Sequence, residues 1–290
     1  TLNKRIFSVF TLLDWVVLVA FFAFSLFVGL FVSSRGNKNF KDYMFGGGKI
    51  PWVAVGISLI ATSVSATTFL GAPADVYGAD MRFLMFQIGG ALSIVVVGLV
   101  FIPRFRRSGI QSAYELFERQ FSPTVRRLAA IFYCLHLLLR TGILLYAPAL
   151  VISRILDCNL YIAILITAIL AIIYTWFGGI KAVIWTDVLQ FFVFFFGGIL
   201  VLFLVANSCG DFSSLYTLAS EAGKTKWFDP SLSPALDRTL ISAGFAYAVL
   251  EIAIRGCDQQ FVQRYLSCKS PAAANASSIL SMLLGALISV

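Results

Sequence analysis

An all-α integral membrane protein is the fold class this sequence predicts, and three observations predict it. Hydrophobic residues make up 59% of the 290 residues and charged residues only 12%, where a soluble domain carries about 25% charged residues. Apolar runs recur along the chain at the length of roughly 20 residues that a bilayer demands. Two of those runs are interrupted by hydroxyl, glycine or proline residues. No soluble fold of this length hides so much apolar surface. That composition excludes a soluble enzyme, and no nucleophile–base constellation is visible.

The runs predict spans at 12–33, 51–73, 83–103, 128–156, 159–177, 183–206 and 239–257, with another beginning near 272 and still apolar at Val290. Between the third and fourth, Ser112 and Glu115 have the spacing of a capping box that opens a short surface helix. Residues 207–238 read as a long loop on the opposite side, punctuated by Gly210, Pro230 and Pro234. The cysteines show no paired short spacing, which argues against a metal cage or a disulfide framework and leaves only a Cys158–Cys209 bridge open. Thr1 opens the chain without a methionine or a cleavable signal pattern, so the sequence reads as trimmed or partial.

The formal net charge is +8. In a membrane protein such an excess reports loops facing the cytoplasm. With the amino terminus outside, the loops 34–49, 104–127, 178–182 and 255–271 hold Lys and Arg in about a two-to-one excess over the other side. Arg255 and Arg264 are counted among those loop charges. The expectation is a multi-pass protein of the cell membrane with segment 104–127 cytoplasmic. The charge needs no nucleic-acid partner.

Some polar residues are out of place in this pattern. Arg140 lies about 20 Å beyond Arg127 along a helix rising about 1.5 Å per residue, too deep to snorkel to a surface. A central arginine costs about 2.5–3.5 kcal/mol even on the low scales. It is either half of a structural ion pair or, the favoured reading, an anchor for a substrate carboxylate that matches its planar fork. In the second span, Thr62, Ser63, Ser65, Thr67 and Thr68 precede Gly71 and Pro73. Any one hydroxyl could be packing glue, but the cluster predicts a helix that unwinds mid-membrane and frees carbonyls for a cation. The span 239–257 has a similar interruption at Ser242 and Gly244, with Glu251 well inside. Two interrupted spans separated by five predict an inverted repeat: an extra leading helix 12–33, a first repeat over 51–206 and the start of a second over 239–290, all in one domain. Asp187 sits about 9 Å beyond Lys181 in its helix. It is protonated, paired or cation-bound, and hard oxygen ligands favour alkali cations or protons.

The stretches "PWVAVGISLIATSVSATTFLGAPADVY", "SAYELFERQF", "TGILLYAPAL", "YTWFGGIKAVIWTDVLQ" and "DQQFVQRYLSCKS" resemble the sodium:solute symporter family, in family order over almost the whole chain. The resemblance implies a leucine-transporter-type fold and sodium-coupled uptake by alternating access. It implies that the backbone carbonyls of Ala61 and Val64 form half of the principal sodium site, with Asp187 the acidic residue near it. It puts Ser63, Ser65, Thr68, Phe83, Gln87, Tyr247 and Glu251 along the substrate pocket. The "LLLRTGILLYAPAL" stretch is similar to the iodide, monocarboxylate and vitamin carriers, many of which have an aromatic residue where Arg140 stands. Sialic-acid members have an arginine in that helix to hold a carboxylate. Glu251 could instead neutralise Arg140 or bind a substrate amine or hydroxyl. Family members continue through further helices, one of which supplies sodium-site hydroxyls, so this chain reads as an incomplete symporter.

The expected function is sodium-coupled import of a small carboxylate, of sialic-acid or monocarboxylate type. Sodium is the co-transported ion, no organic cofactor is expected, and the partners are sodium, the solute and the bilayer. One rival is a neutral sugar or polyol carrier, in which Arg140 and Glu251 pair. The other is a symporter-like module of a sensor kinase.

Overall fold

A computed structural model describes residues 11–34, 39–64, 66–233 and 236–289. Helices α1 (Leu12–Ser34) and α2 (Phe40–Phe45) come first, the latter capped by Asn39, whose Oδ1 accepts the Asp42 N–H at 2.9 Å. Then come α3 (Trp52–Ser63), α4 (Ala66–Gly78), α5 (Phe86–Val96), α6 (Ile102–Ser108) and α7 (Glu115–Gln120). The long helices α8 (Pro123–Leu156) and α9 (Leu160–Cys209) follow, then α10 (Phe212–Glu221), α11 (Tyr247–Cys257), α12 (Gln259–Ser267) and α13 (Pro271–Ser289). Among the described residues six helices are long and apolar enough to cross a membrane, or seven if the bent pair α3–α4 is one span.

The predicted spans recur with instructive differences. The break between 159–177 and 183–206 is a single residue: Gly179, at φ 58° and ψ −168°, interrupts one continuous run of helix. That φ is one which only glycine adopts cheaply. The third span is a composite of α5, α6 and the π-helical turn Val97–Phe101 between them, entered through the 3-10 turn Met81–Met85. The loop 207–238 is not all loop. Asp211 caps α10 inside it, its Oδ1 accepting the Ser214 N–H at 2.6 Å. The Ser112–Glu115 capping box does not form. Helix α7 starts later, with Tyr114 rather than Ser112 at its N-cap position, and the Glu115 carboxylate accepts from Gln111 N at 3.2 Å rather than from Ser112. Cys158 and Cys209 are both free thiols.

The chain divides into two compact units. One comprises residues 1–47 and 131–186, the other 48–130 and 187–290. In the first, a side chain on Gly29 of α1 would meet Ala182 and Thr186 of α9, so these two helices run close together there. In the second, α3 lies along α13 and α11 lies along α5. One of its apolar clusters is Ile57, Ile60 and Phe191, with Val64, Val188, Leu284 and Ile288 packed on them. Each large side chain so buried stabilises a soluble fold by about 1.5–3 kcal/mol. In a bilayer the gain is close packing, because lipid is as apolar as leucine. Small residues set that packing. A Cβ on Gly89 would lie 2.7 Å from the Gly244 carbonyl oxygen and 2.8 Å from that of Ala243.

Candidate functional site

The site lies in the second unit and begins where α3 stops. Val64 is extended, at φ −94° and ψ 119°, and its N–H returns to the Ile60 carbonyl at 2.9 Å. The chain resumes as α4, and the helical segments Trp52–Ser63 and Thr68–Gly78 are bent by 58°. A terminating helix leaves its last carbonyls without intrahelical donors. Ala61 belongs to that last turn and Val64 to the break itself. The hydroxyls around it turn back on their own helix, Thr62 Oγ1 donating to the Ser58 carbonyl at 2.7 Å and Ser63 Oγ to the Leu59 carbonyl at 3.4 Å. Ser65 lies outside the described residues.

A cavity of about 640 Å³ opens beside α4, lined by Thr68, Phe83, Phe86 and Ser242 together with Asp75 and Arg238. Thr68 and Phe83 are among the pocket residues the sequence predicts. Tyr247 reaches the same wall from behind: its ring meets Phe86 edge-on at 4.8 Å. The expected interruption at Ser242 and Gly244 takes the form of a π-helical turn, Leu240–Ala246, rather than an extended break. Thr239 and Ser242 close it with a capping box of their own.

Other predicted residues are not in the lining of this cavity and are engaged by protein partners. Gln87 Nε2 donates to Ser289 Oγ at 2.7 Å, tying α5 to the end of α13. Glu251 is buried and accepts from Arg255 Nε at 2.6 Å, one helical turn along α11. Arg255 is therefore a buried ion-pair partner within α11, not a charge of a surface loop.

Asp187 has a comparable outcome. Its Oδ2 accepts from Ser58 Oγ at 2.5 Å and from Arg264 Nη2 at 3.0 Å. Arg264 Nε also donates to Ser58 Oγ at 2.7 Å, closing a three-membered polar knot among α3, α9 and α12. Arg264 is only 6% exposed. That removes a second charge from the loop tally and gives Asp187 a cationic neighbour that the sequence pattern does not reveal. A part-buried carboxylate bonded to a guanidinium and a hydroxyl has partners that offset part of its desolvation cost.

Part of the 207–238 segment folds onto the end of α4. Lys224 Nζ donates to the Tyr77 carbonyl at 2.7 Å and the Ala79 carbonyl at 3.0 Å, a cation at a helix C-terminus where the dipole favours it. Arg82 bridges Asp80 at 2.9 Å and Asp229 at 3.1 Å. Burial alone would push the Asp80 carboxyl up, but hydrogen bonds from Arg82 hold it below the usual carboxylate range. Asp229 is also held low, chiefly by the Ser231 backbone N–H. Arg238 Nη2 meets Asp75 Oδ1 at 2.6 Å.

Arg140 belongs to the first unit, at the midpoint of α8. It is partly buried there.

A broken helix beside a lined cavity in a bundle of apolar helices matches a known architecture. The sodium:solute symporter family model matches residues 43–290. The chain belongs to the sodium:solute symporter family. It is 32% identical over 263 residues to sodium-coupled monocarboxylate transporter 2 of Bos taurus, covering 90% of this chain and 43% of that one. It is 33% identical over 245 residues to the sodium/iodide cotransporter of Homo sapiens, covering 84% of this chain and 38% of that one. Among solved structures it is similar to a substrate-bound, outward-open sodium-coupled sialic acid symporter, with a TM-score of 0.86 and 32% identity over 97% of this chain and 58% of that one. The symporter fold is therefore of leucine-transporter type, as the family resemblance implies. The chain spans under half the length of the curated relatives named here.

Proposed function

We propose that the full-length symporter couples inward sodium movement to uptake of a small carboxylated solute by alternating access. Family membership at this identity carries the reading, since the similar proteins include monocarboxylate and sialic acid carriers. Sodium is cargo, held by the Ala61 and Val64 carbonyls at the break, with Asp187 the nearest acid of the family motif. Those ligands suit a hard cation. Thr68 and Phe83 contact the solute, with Ser63, Gln87, Tyr247 and Glu251 shaping the region around it.

Arg140 anchors the carboxylate. The neutral-solute rival draws its support from an Arg140–Glu251 pair, and Glu251 is engaged by Arg255. The amino terminus faces outward and 104–127 the cytoplasm, so the α4 cavity lies on the outer side. Cysteine labelling at Ser108 and Ser213 should show opposite sidedness; labelling of both from one side overturns that orientation.

The substrate assignment is tested at Arg140. Arg140→Lys keeps the charge but loses the fork, and Arg140→Ala loses both. Charge-assisted hydrogen bonds contribute about 1.5–3 kcal/mol, or roughly 10- to 150-fold in binding. Labelled lactate and N-acetylneuraminate uptake should therefore show a raised KM in Arg140→Lys and a higher one in Arg140→Ala. Unchanged KM in both, with normal expression, overturns the anchor.

A further inference from the structure

We propose that Arg238 is an outer recognition site for the carboxylate, held in reserve by Asp75 until a substrate carboxylate displaces it. The inference rests on the carboxylate reading above and adds to it a residue in the other compact unit from Arg140.

The geometry carries the idea. Asp75 and Arg238 both line the 640 Å³ cavity, with Thr68, Phe83 and Ser242 as neighbours. Their contact uses one nitrogen of the fork, Nη2 to Asp75 Oδ1 at 2.6 Å. The other, Nη1, is buried and makes no hydrogen bond among the described residues. A guanidinium is satisfied by a carboxylate through two parallel bonds, and that bidentate arrangement is the stronger one. The present pairing leaves half of that capacity unused. Once it leaves Asp75, the guanidinium can turn both nitrogens to a substrate carboxylate in the cavity, and the displaced Asp75, which is partly exposed, can return to water. Asp237 also lines the cavity, but it is exposed, so solvent weakens its repulsion of an anion.

The position of Arg238 gives the exchange a readout. Arg238 has φ 57°, a left-handed conformation that a non-glycine residue holds only when its surroundings enforce it. The next residue, Thr239, caps the helix that begins at Leu240, and Ser242 of that cap lines the same cavity. Taking the guanidinium from Asp75 therefore unties α4 from the start of the span that ends in α11. Binding at the mouth and loosening of the mouth are one event.

The experiment uses the full-length protein in proteoliposomes with labelled lactate and labelled N-acetylneuraminate. Arg238→Gln should raise KM roughly tenfold for the transported acid with maximal rate retained, and Arg238→Lys should fall between. Asp75→Asn should lower KM, because the internal competitor is gone. The exchanged pair Asp75→Arg with Arg238→Asp keeps an ion pair and reports on folding by size-exclusion profile. A merely structural pair predicts that Asp75→Asn and Arg238→Gln do equal harm and that the exchanged pair restores wild-type KM; that result overturns the proposal. So does an unchanged KM in Arg238→Gln. If the wild type takes up neither acid, this inference and the substrate assignment fall together. If the wild type does so and Arg140→Ala raises KM while Arg238→Gln does not, only this inference falls.

Discussion

Arg264 Nη2 lies 3.0 Å from Asp187 Oδ2, and Ser58 Oγ bonds to both side chains. The pair joins helices 77 residues apart in sequence. The carboxylate deep in α9 thus has its charge balanced by a guanidinium of the same chain.

Removing one member strands the other. Breaking a buried pair costs about 3–5 kcal/mol, so Arg264→Ala should lower the thermal midpoint in detergent clearly. Asp187→Asn added to Arg264→Ala should recover part of the loss. In transport, Asp187→Ala should weaken apparent sodium affinity more than substrate affinity at saturating sodium. A normally folded Asp187→Ala with unchanged sodium dependence makes the residue purely structural.

Glu251 and Arg255 should couple in the same way. They are buried together within one turn of α11. A double-mutant cycle with Glu251→Gln and Arg255→Ala, read as thermal stability, should be strongly non-additive, since groups in one network couple by about 0.5–3 kcal/mol. Additive losses contradict the pair.

The break at Val64 and the depth of Asp187 are legible in the sequence because hydroxyl clusters and misplaced charges are local signals. The burial of Arg255 and Arg264 is not. Arg255 lies where an apolar run ends and Arg264 in the polar stretch after it, and the sequence offers the same letters for a cytoplasmic loop as for a buried guanidinium. Their acceptors decide the matter: Glu251 is four residues from Arg255 on the same helix, whereas Asp187 is in another helix. The spacing of Glu251 and Arg255 is itself a signal that the sequence carries. The Asp75–Arg238 pair, across 163 residues, leaves no trace in periodicity. A carboxylate deep in a span marks function by default, and Glu251 has in addition a structural partner, Arg255, on the same helix face.

Gly89 tests the packing that holds the cavity wall. Backbone atoms of Ala243, Gly244 and Ala248 lie within 3.0 Å of where a Cβ on Gly89 would stand, so Gly89→Ala must push α5 away from the helix opposite. Overpacking costs about 1–3 kcal/mol, so a lower thermal midpoint is expected; Gly90→Ala, which meets nothing within 4 Å, should be neutral. Equal behaviour of the two contradicts the close approach.

The most direct measurement is uptake by the full-length protein in proteoliposomes, with a panel of labelled carboxylates and neutral sugars, under an inward sodium gradient and with sodium replaced by choline. Concentrative uptake of a carboxylate that depends on sodium, with sugars excluded, is the predicted result. Sodium-dependent uptake of a sugar but of no carboxylate, or carboxylate uptake indifferent to sodium, contradicts the account.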